Sequence, residues 1–188
     1  MDSISDNTLM LKVKAGQLDQ LGLLFERYNR PLYGFFFKLT CDQEVSEDLV
    51  QNVFMRIIKY RHTYKGDGKF STWMYHMARN LFADHYRKEK RRGYKEDVET
   101  ADRYHQNEEN AEKSKIASEE LDLLQRALNH LPEDKKEILV LSKYQGMKYK
   151  DIADLLDLTE SAVKVRIFRA LKELKVCYKK LEYEVVKP

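Results

Sequence analysis

The sequence predicts an all-α fold, two small helical domains joined by a flexible linker. Apolar residues recur at spacings of three and four through most of the chain, the period of helices that bury one face. Strand-like alternation is nearly absent, and Gly and Pro number only 7 and 3 in 188 residues. Between residues 93 and 118 the periodicity stops, and Glu, Asp, Asn, Gln and Lys dominate. Such a stretch lacks the apolar surface that would offset its ordering entropy, so it is expected to be disordered or extended. The expected divisions are therefore 1–92, a linker at 93–118, and 119–188. A hydrophobic content of 43% is low for a single globule of this length and agrees with two smaller cores.

Composition also excludes classes of function. Charged residues make up 35% of the chain, yet the net charge is only +3, so any nucleic-acid role must come from local patches. No apolar run approaches the roughly 20 residues of a membrane span, and no signal-peptide pattern opens the sequence, so a cytoplasmic protein without membrane insertion is expected. Cys41 and Cys177 have no companion at metal spacing and read as reduced thiols; neither a metal nor a cofactor is expected. The five His are scattered, and there is no Ser nucleophile in a turn and no carboxylate cluster. Catalytic residues and a small-molecule substrate are not expected.

Taken in order, Asp6 can cap a first helix carrying Leu9 and Val13 and ended by Gly16. Leu21, Leu24, Phe25, Tyr28, Leu32, Phe35, Phe36 and Leu39 form a second, aromatic-rich helix with a kink at Pro31. Val45, Leu49, Val53 and Ile57 line a third that starts near Ser46. Its other face groups Asp48, Gln51, Asn52 and Arg56, a polar surface that is either solvated or docks a partner. From Tyr64 to Arg92 a Gly-bearing loop, with Gly66 and Gly68, leads into a helix capped by Ser71 or Thr72. That helix buries Trp73, Met77 and Leu81 beside Met74, Ala78 and Phe82. Around it stand Lys65, Lys69, Arg79, His85, Arg87, Lys88, Lys90, Arg91 and Arg92 with Phe70, Trp73, Tyr75 and Tyr86. Aromatic stacking beside cations suits bases stripped from a duplex, and a core helix with a basic tail is the alternative.

After the linker, Leu121, Leu124 and Leu128 lead into Leu131, and Pro132 with Glu133 and Asp134 opens a helix holding Ile138 and Leu141. Gly146 to Leu174 then reads as a helix-turn-helix. Ile152, Ala153 and Leu156 face inward on a short helix; Asp157, Leu158 and Thr159 make the turn. Val163, Ile167, Leu171 and Leu174 line a longer helix capped by Thr159. Its remaining face, Ser161, Lys164, Val165, Arg166, Phe168 and Arg169, is cationic with small apolar groups, as a major groove accepts. An ordinary antiparallel helix pair with a solvated basic face is the other reading.

The order of these parts resembles bacterial RNA polymerase sigma factors of the extracytoplasmic-function (ECF) group. EDLVQNVFMRIIKY is similar to that family's core-binding helix of region two. KGDGKFSTWMYHMARNLFADHYRK is similar to its promoter-melting and minus-ten segment, and LPEDKKEILVLSKYQGMKYKDIADLLDLTESAVKVRIFRAL to its region four. The resemblance implies a non-enzymatic factor that binds core RNA polymerase and promoter DNA and directs promoter-specific initiation. It places Asp48, Gln51 and Asn52 against the clamp helices of the largest polymerase subunit, although an acid is usual where Asn52 stands. It places the loop Tyr64 to Phe70 where a flipped non-template base is captured, a step that requires stacking and edge hydrogen bonds. Asn80 falls where the minus-ten duplex edge is read, and Lys65, Lys69, Phe70, Trp73, Arg87 and Lys88 complete the minus-ten surface. Trp73 is followed by Met74 where primary sigma factors carry paired tryptophans, which implies weaker melting.

In region four, Ser161, Lys164, Val165, Arg166, Phe168 and Arg169 fall on the face that reads the minus-thirty-five element. Val165 stands where some relatives carry a small hydroxyl residue, and Lys148 where many cap the first helix with Ser. The resemblance further implies an anti-sigma factor that covers both DNA-binding domains. The rival reading is a helix-turn-helix regulator that needs no polymerase.

Overall fold

The computed structural model describes residues 4–93 and 113–186, with side chains for residues 4–91 and 119–184. Every regular element among the described residues is helical, and the chain divides into two compact units with the boundary between residues 102 and 103.

The first unit contains α1 (Asp6–Lys14), α2 (Leu21–Thr40), α3 (Gln43–Tyr60) and α4 (Phe70–Gly93), with short 3-10 turns at Leu18–Gln20 and Arg61–Thr63. α2 packs on α3, α3 on α4, and α1 on both α2 and α4. Leu9, Met10 and Val13 of α1, Leu24, Leu32, Phe35 and Phe36 of α2, Val53 and Ile57 of α3, and Met74 and Ala78 of α4 are wholly buried. Several local expectations are corrected. Ser5, not Asp6, caps α1, its Oγ accepting from the Thr8 amide at 3.2 Å. Asp6 instead turns to α2, where it accepts from Arg27 at 2.5 Å and from the Tyr28 hydroxyl at 2.5 Å. Burial, reinforced by that carboxylate, raises the Tyr28 phenol far above its ordinary pKa. Phe25 of α2, expected inside, is exposed and meets Phe54 edge-on at 4.9 Å. α3 begins at Gln43, ahead of Ser46, because Asp42 caps it by accepting from the Val45 amide at 3.0 Å. Ser46 is then inside the helix and buried.

The second unit contains α5 (Lys113–Asn129), α6 (Glu133–Leu139), α7 (Tyr149–Leu156) and α8 (Glu160–Val186), with a π-helical turn at Val140–Tyr144. α8 is the spine: α5, α6 and α7 all pack on it. Most of the stretch expected as linker lies outside the described residues, but residues 113–118 belong to α5. Leu121, expected inside, is exposed.

Candidate nucleic-acid interfaces

In the second unit, Gly146 (φ +61°) ends the turn after the π-helical segment, and α7 starts after Lys148, which gives it no side-chain cap. α7 buries Ile152, Ala153 and Leu155. Leu155 thus takes the inward position expected of Leu156, which is only half-buried. Asp157 (φ +51°) closes α7 in the left-handed region, a conformation that Asp tolerates better than most residues. Thr159 then opens α8, its Oγ1 accepting from the Ala162 amide at 3.1 Å.

Val163, Ile167 and Ala170 point α8 into the core, and Leu174 is half-buried. Leu171, expected in that stripe, is on the outside, and its neighbour Ala170 takes the buried position. Opposite this stripe, Ser161, Lys164, Val165, Arg166, Phe168 and Arg169 are all exposed, Phe168 at 69%. Phe168 and Val165 thus give this basic face two exposed apolar groups. An ion pair joins Lys135 of α6 to Glu173, six residues beyond Ile167 on α8.

In the first unit, Asp48, Gln51 and Asn52 are exposed on α3, and Asn52 folds back to donate to the Asp48 carbonyl at 2.8 Å. Arg56, expected on the same surface, is half-buried and turned toward α4, where it meets Asp84 at 3.4 Å. A groove of about 650 Å³ runs between α3 and α4, with Val45, Leu49 and Leu81 contributing apolar wall. Asp48 and Asn52 border it from α3, and Asp84, Arg87 and Lys88 from α4. Residues expected to face polymerase and residues expected to face DNA therefore border one groove.

Lys65, Lys69, Asn80, Arg87 and Lys88 are exposed and Trp73 is half-buried. Trp73, Asn80 and Arg87 are seven residues apart, so they form a row along one side of α4. Phe70 is different. Its ring is 1% exposed, packed among Tyr28 at 5.4 Å, Trp73 at 6.2 Å and Tyr64 at 6.3 Å. In this packing its ring meets other aromatic side chains and not solvent. Tyr75, 3% exposed against Phe35, is likewise core. Neither Ser71 nor Thr72 starts α4: the helix begins at Phe70, whose amide donates to the Asn7 side chain of α1 at 2.8 Å.

Two residues at these surfaces escaped sequence reasoning. Asp84 stands three before Arg87, a spacing that does favour an ion pair on a helix. Asn7 had no local signal.

Residues 24–92 match the family profile for Sigma-70 region 2, and residues 121–174 that for Sigma-70, region 4. The ECF RNA polymerase sigma factor SigM of Bacillus subtilis is 30% identical over 156 residues, covering 82% of this chain and 93% of its own. The chain belongs to the ECF sigma factors. As such it is a non-enzymatic factor that directs promoter-specific transcription initiation by RNA polymerase. The ECF RNA polymerase sigma-E factor of Haemophilus influenzae is 28% identical over 176 residues, covering 90% of this sigma factor and 93% of its own length. Among solved structures, the fold is similar to CnrH in complex with the cytosolic domain of CnrY. The TM-score is 0.72 at 22% identity, over 93% of this chain and 97% of that one. It is also similar to the sigma factor RpoE of Bartonella quintana, solved with the anti-sigma factor NepR, with a TM-score of 0.69 at 22% identity over 85% and 96%. No helix of the described residues is long and apolar enough to cross a membrane.

Proposed function

We propose that this sigma factor acts in the cytoplasm and docks on core polymerase through Asp48, Gln51 and Asn52. Residues 1–92 carry the minus-ten work. Lys65, Lys69, Trp73, Asn80, Arg87 and Lys88 hold and read the opened element, and the loop of residues 64–70 captures a flipped non-template base, with Phe70 buried at its end. Residues 119–188 read the minus-thirty-five element through Ser161, Lys164, Val165, Arg166, Phe168 and Arg169, with 93–118 as the tether. The observation that carries this reading is on α8: all six of those residues are exposed while Val163, Ile167 and Ala170 are buried. A helix that commits one face to the core and presents cations and apolar groups on the other has the shape and chemistry of a major-groove reader.

The deciding experiment is a gel shift on selected promoter DNA with and without core polymerase, using the wild-type chain and an Asp48→Ala/Gln51→Ala double variant. The shift is expected to require core, and the double variant to lose in competition with another sigma factor, since truncating interface anchors costs about 2 kcal/mol or more. Tight binding without core, or unaltered competition, would sink the reading. The RpoE relative was solved with an anti-sigma factor, and we extend that class of partner to this chain. A pull-down from native cells returning polymerase subunits alone would oppose it.

A further inference from the structure

We propose that α1 is the brace of the base-capture loop, with Asn7 and Lys14 as its positioning residues. This rests on the base-capture reading above. α1 has two working faces. Leu9, Met10 and Val13 are wholly buried and fix it to the core, and Asp6 binds it to Arg27 and Tyr28 of α2. Asn7, Leu11 and Lys14, at offsets of four and three, make a second face that meets the loop.

The contacts hold the loop at its beginning, middle and end. Lys14 Nζ donates to the Tyr64 carbonyl at 2.6 Å, where the chain leaves the 3-10 turn. Gly66 lies beside Leu11, where a Cβ would meet the Leu11 methyl at an ordinary 3.5 Å contact; it is its φ of +85° that disfavours most side chains. Asn7 Nδ2 donates to the Gly68 carbonyl at 2.7 Å, while its Oδ1 accepts from the Phe70 amide at 2.8 Å. A side-chain amide carries its donor and its acceptor on separate atoms, so Asn7 can donate to one backbone group and accept from another at once. By taking the Phe70 amide, Asn7 also satisfies an orphan donor of the first turn of α4, a cap supplied by another helix.

A loop with glycines at 66 and 68 would otherwise lose backbone entropy each time it closed on an extruded base. Holding its ends in place removes part of that cost before the base arrives, so binding of the base is stronger than the loop's own contacts provide. Between the tethers, Lys65 and Lys69 stay exposed.

The test uses holoenzyme reconstituted with core polymerase and single strands of the non-template minus-ten element, intact or abasic at each position in turn. For wild type, one position is expected where removing the base weakens binding most. Asn7→Ala should bind the intact strand about tenfold more weakly, and should show little further loss when that base is already missing. Lys14→Met, which leaves the start of α4 untouched, should show the same base-dependent loss at about threefold. Melting temperature and core affinity, measured on the same proteins, identify any variant that fails to fold; Lys14→Met then carries the test. A variant that weakens intact and abasic strands equally, or neither, overturns positioning by that residue. A wild-type holoenzyme indifferent to every abasic site fails the base-capture reading itself, and this inference with it.

Discussion

Arg87 donates to Asp84 at 2.6 Å, one turn back along α4, and the other oxygen of the same carboxylate meets Arg56 of α3 at 3.4 Å. One acid thus bridges the helix expected to face polymerase and a cation expected to face DNA. Each of the three side chains keeps 35% or more of its surface in water, so the network is worth little to stability, about 1 kcal/mol or less. Its consequence lies in what Arg87 is free to do.

Replacing Asp84 with Asn removes the internal counter-charge. Affinity of holoenzyme for DNA without promoter sequence should rise a few-fold, and the log-log salt dependence should steepen by up to about one unit as Arg87 gains a phosphate. Salt titrations of wild type and Asp84→Asn check this. An unchanged slope would mean that Arg87 never reaches the backbone.

Burial separates Phe70 from Asn80. Phe70→Ala should destabilise the first unit by about 3 to 5 kcal/mol, visible as a lowered thermal midpoint before any DNA is added. Asn80→Ala, on the surface, should melt like wild type, bind core, and reduce permanganate reactivity of unpaired thymines on duplex promoters. Templates already unpaired across the minus-ten element should lose less. Normal opening by Asn80→Ala would remove that residue from the mechanism.

On α8, Arg166 and Arg169 lie three apart on the exposed face, close enough to span neighbouring base pairs or a base and its phosphate. An arginine bidentate to guanine should cost about 1 to 3 kcal/mol on the preferred hexamer when replaced by Ala, and relax discrimination at one position. Lys164→Ala should instead weaken all sequences alike, because an ammonium lacks the planar fork that recognises a guanine edge. Selection of random upstream hexamers by each holoenzyme distinguishes the two. If neither sequence preference nor affinity changed, α7 and α8 would be a structural hairpin.

Glu133 opens α6 with its carboxylate partly buried, and its Oε2 has no hydrogen-bond partner among the described residues. Burial raises its pKa above the usual carboxylate value, against a lowering by Lys136, and Glu137 raises it further. A raised folded pKa means that the folded chain holds the proton more tightly than the unfolded one. The penalty is therefore fully present above the folded pKa and disappears as pH falls through the carboxylate range. Glu133→Gln should stabilise the second unit at neutral pH, with the gain shrinking on acidification. Denaturant midpoints at neutral and acidic pH measure it; a gain that did not depend on pH would assign the effect to packing.

The helical pattern was legible wherever one residue's environment depends on neighbours three or four positions away. It located the exposed face of α8, the turn at Asp157 to Thr159 and the Thr159 cap, because each follows from local spacing and local hydrogen bonding. It misplaced Leu171 and Leu156, where two apolar residues stand side by side and either could be the one covered. It could not choose between stacking and core packing for Phe70 and Tyr75, since an aromatic ring beside lysines looks the same in a sequence whether it stacks on a base or fills a core.

The sequence by itself determined helices and their order, because helix faces are set by a period of 3.6 residues, and the resemblance of three of its segments to known ones pointed to the family. Only the tertiary structure decided that Ala170 sits inside, that Arg56 turns to Asp84, and that Asn7 holds Gly68 and Phe70. These outcomes depend on which helix lies alongside and how closely it approaches. A hydrogen bond between residues 63 positions apart leaves no periodic trace in the chain that makes it.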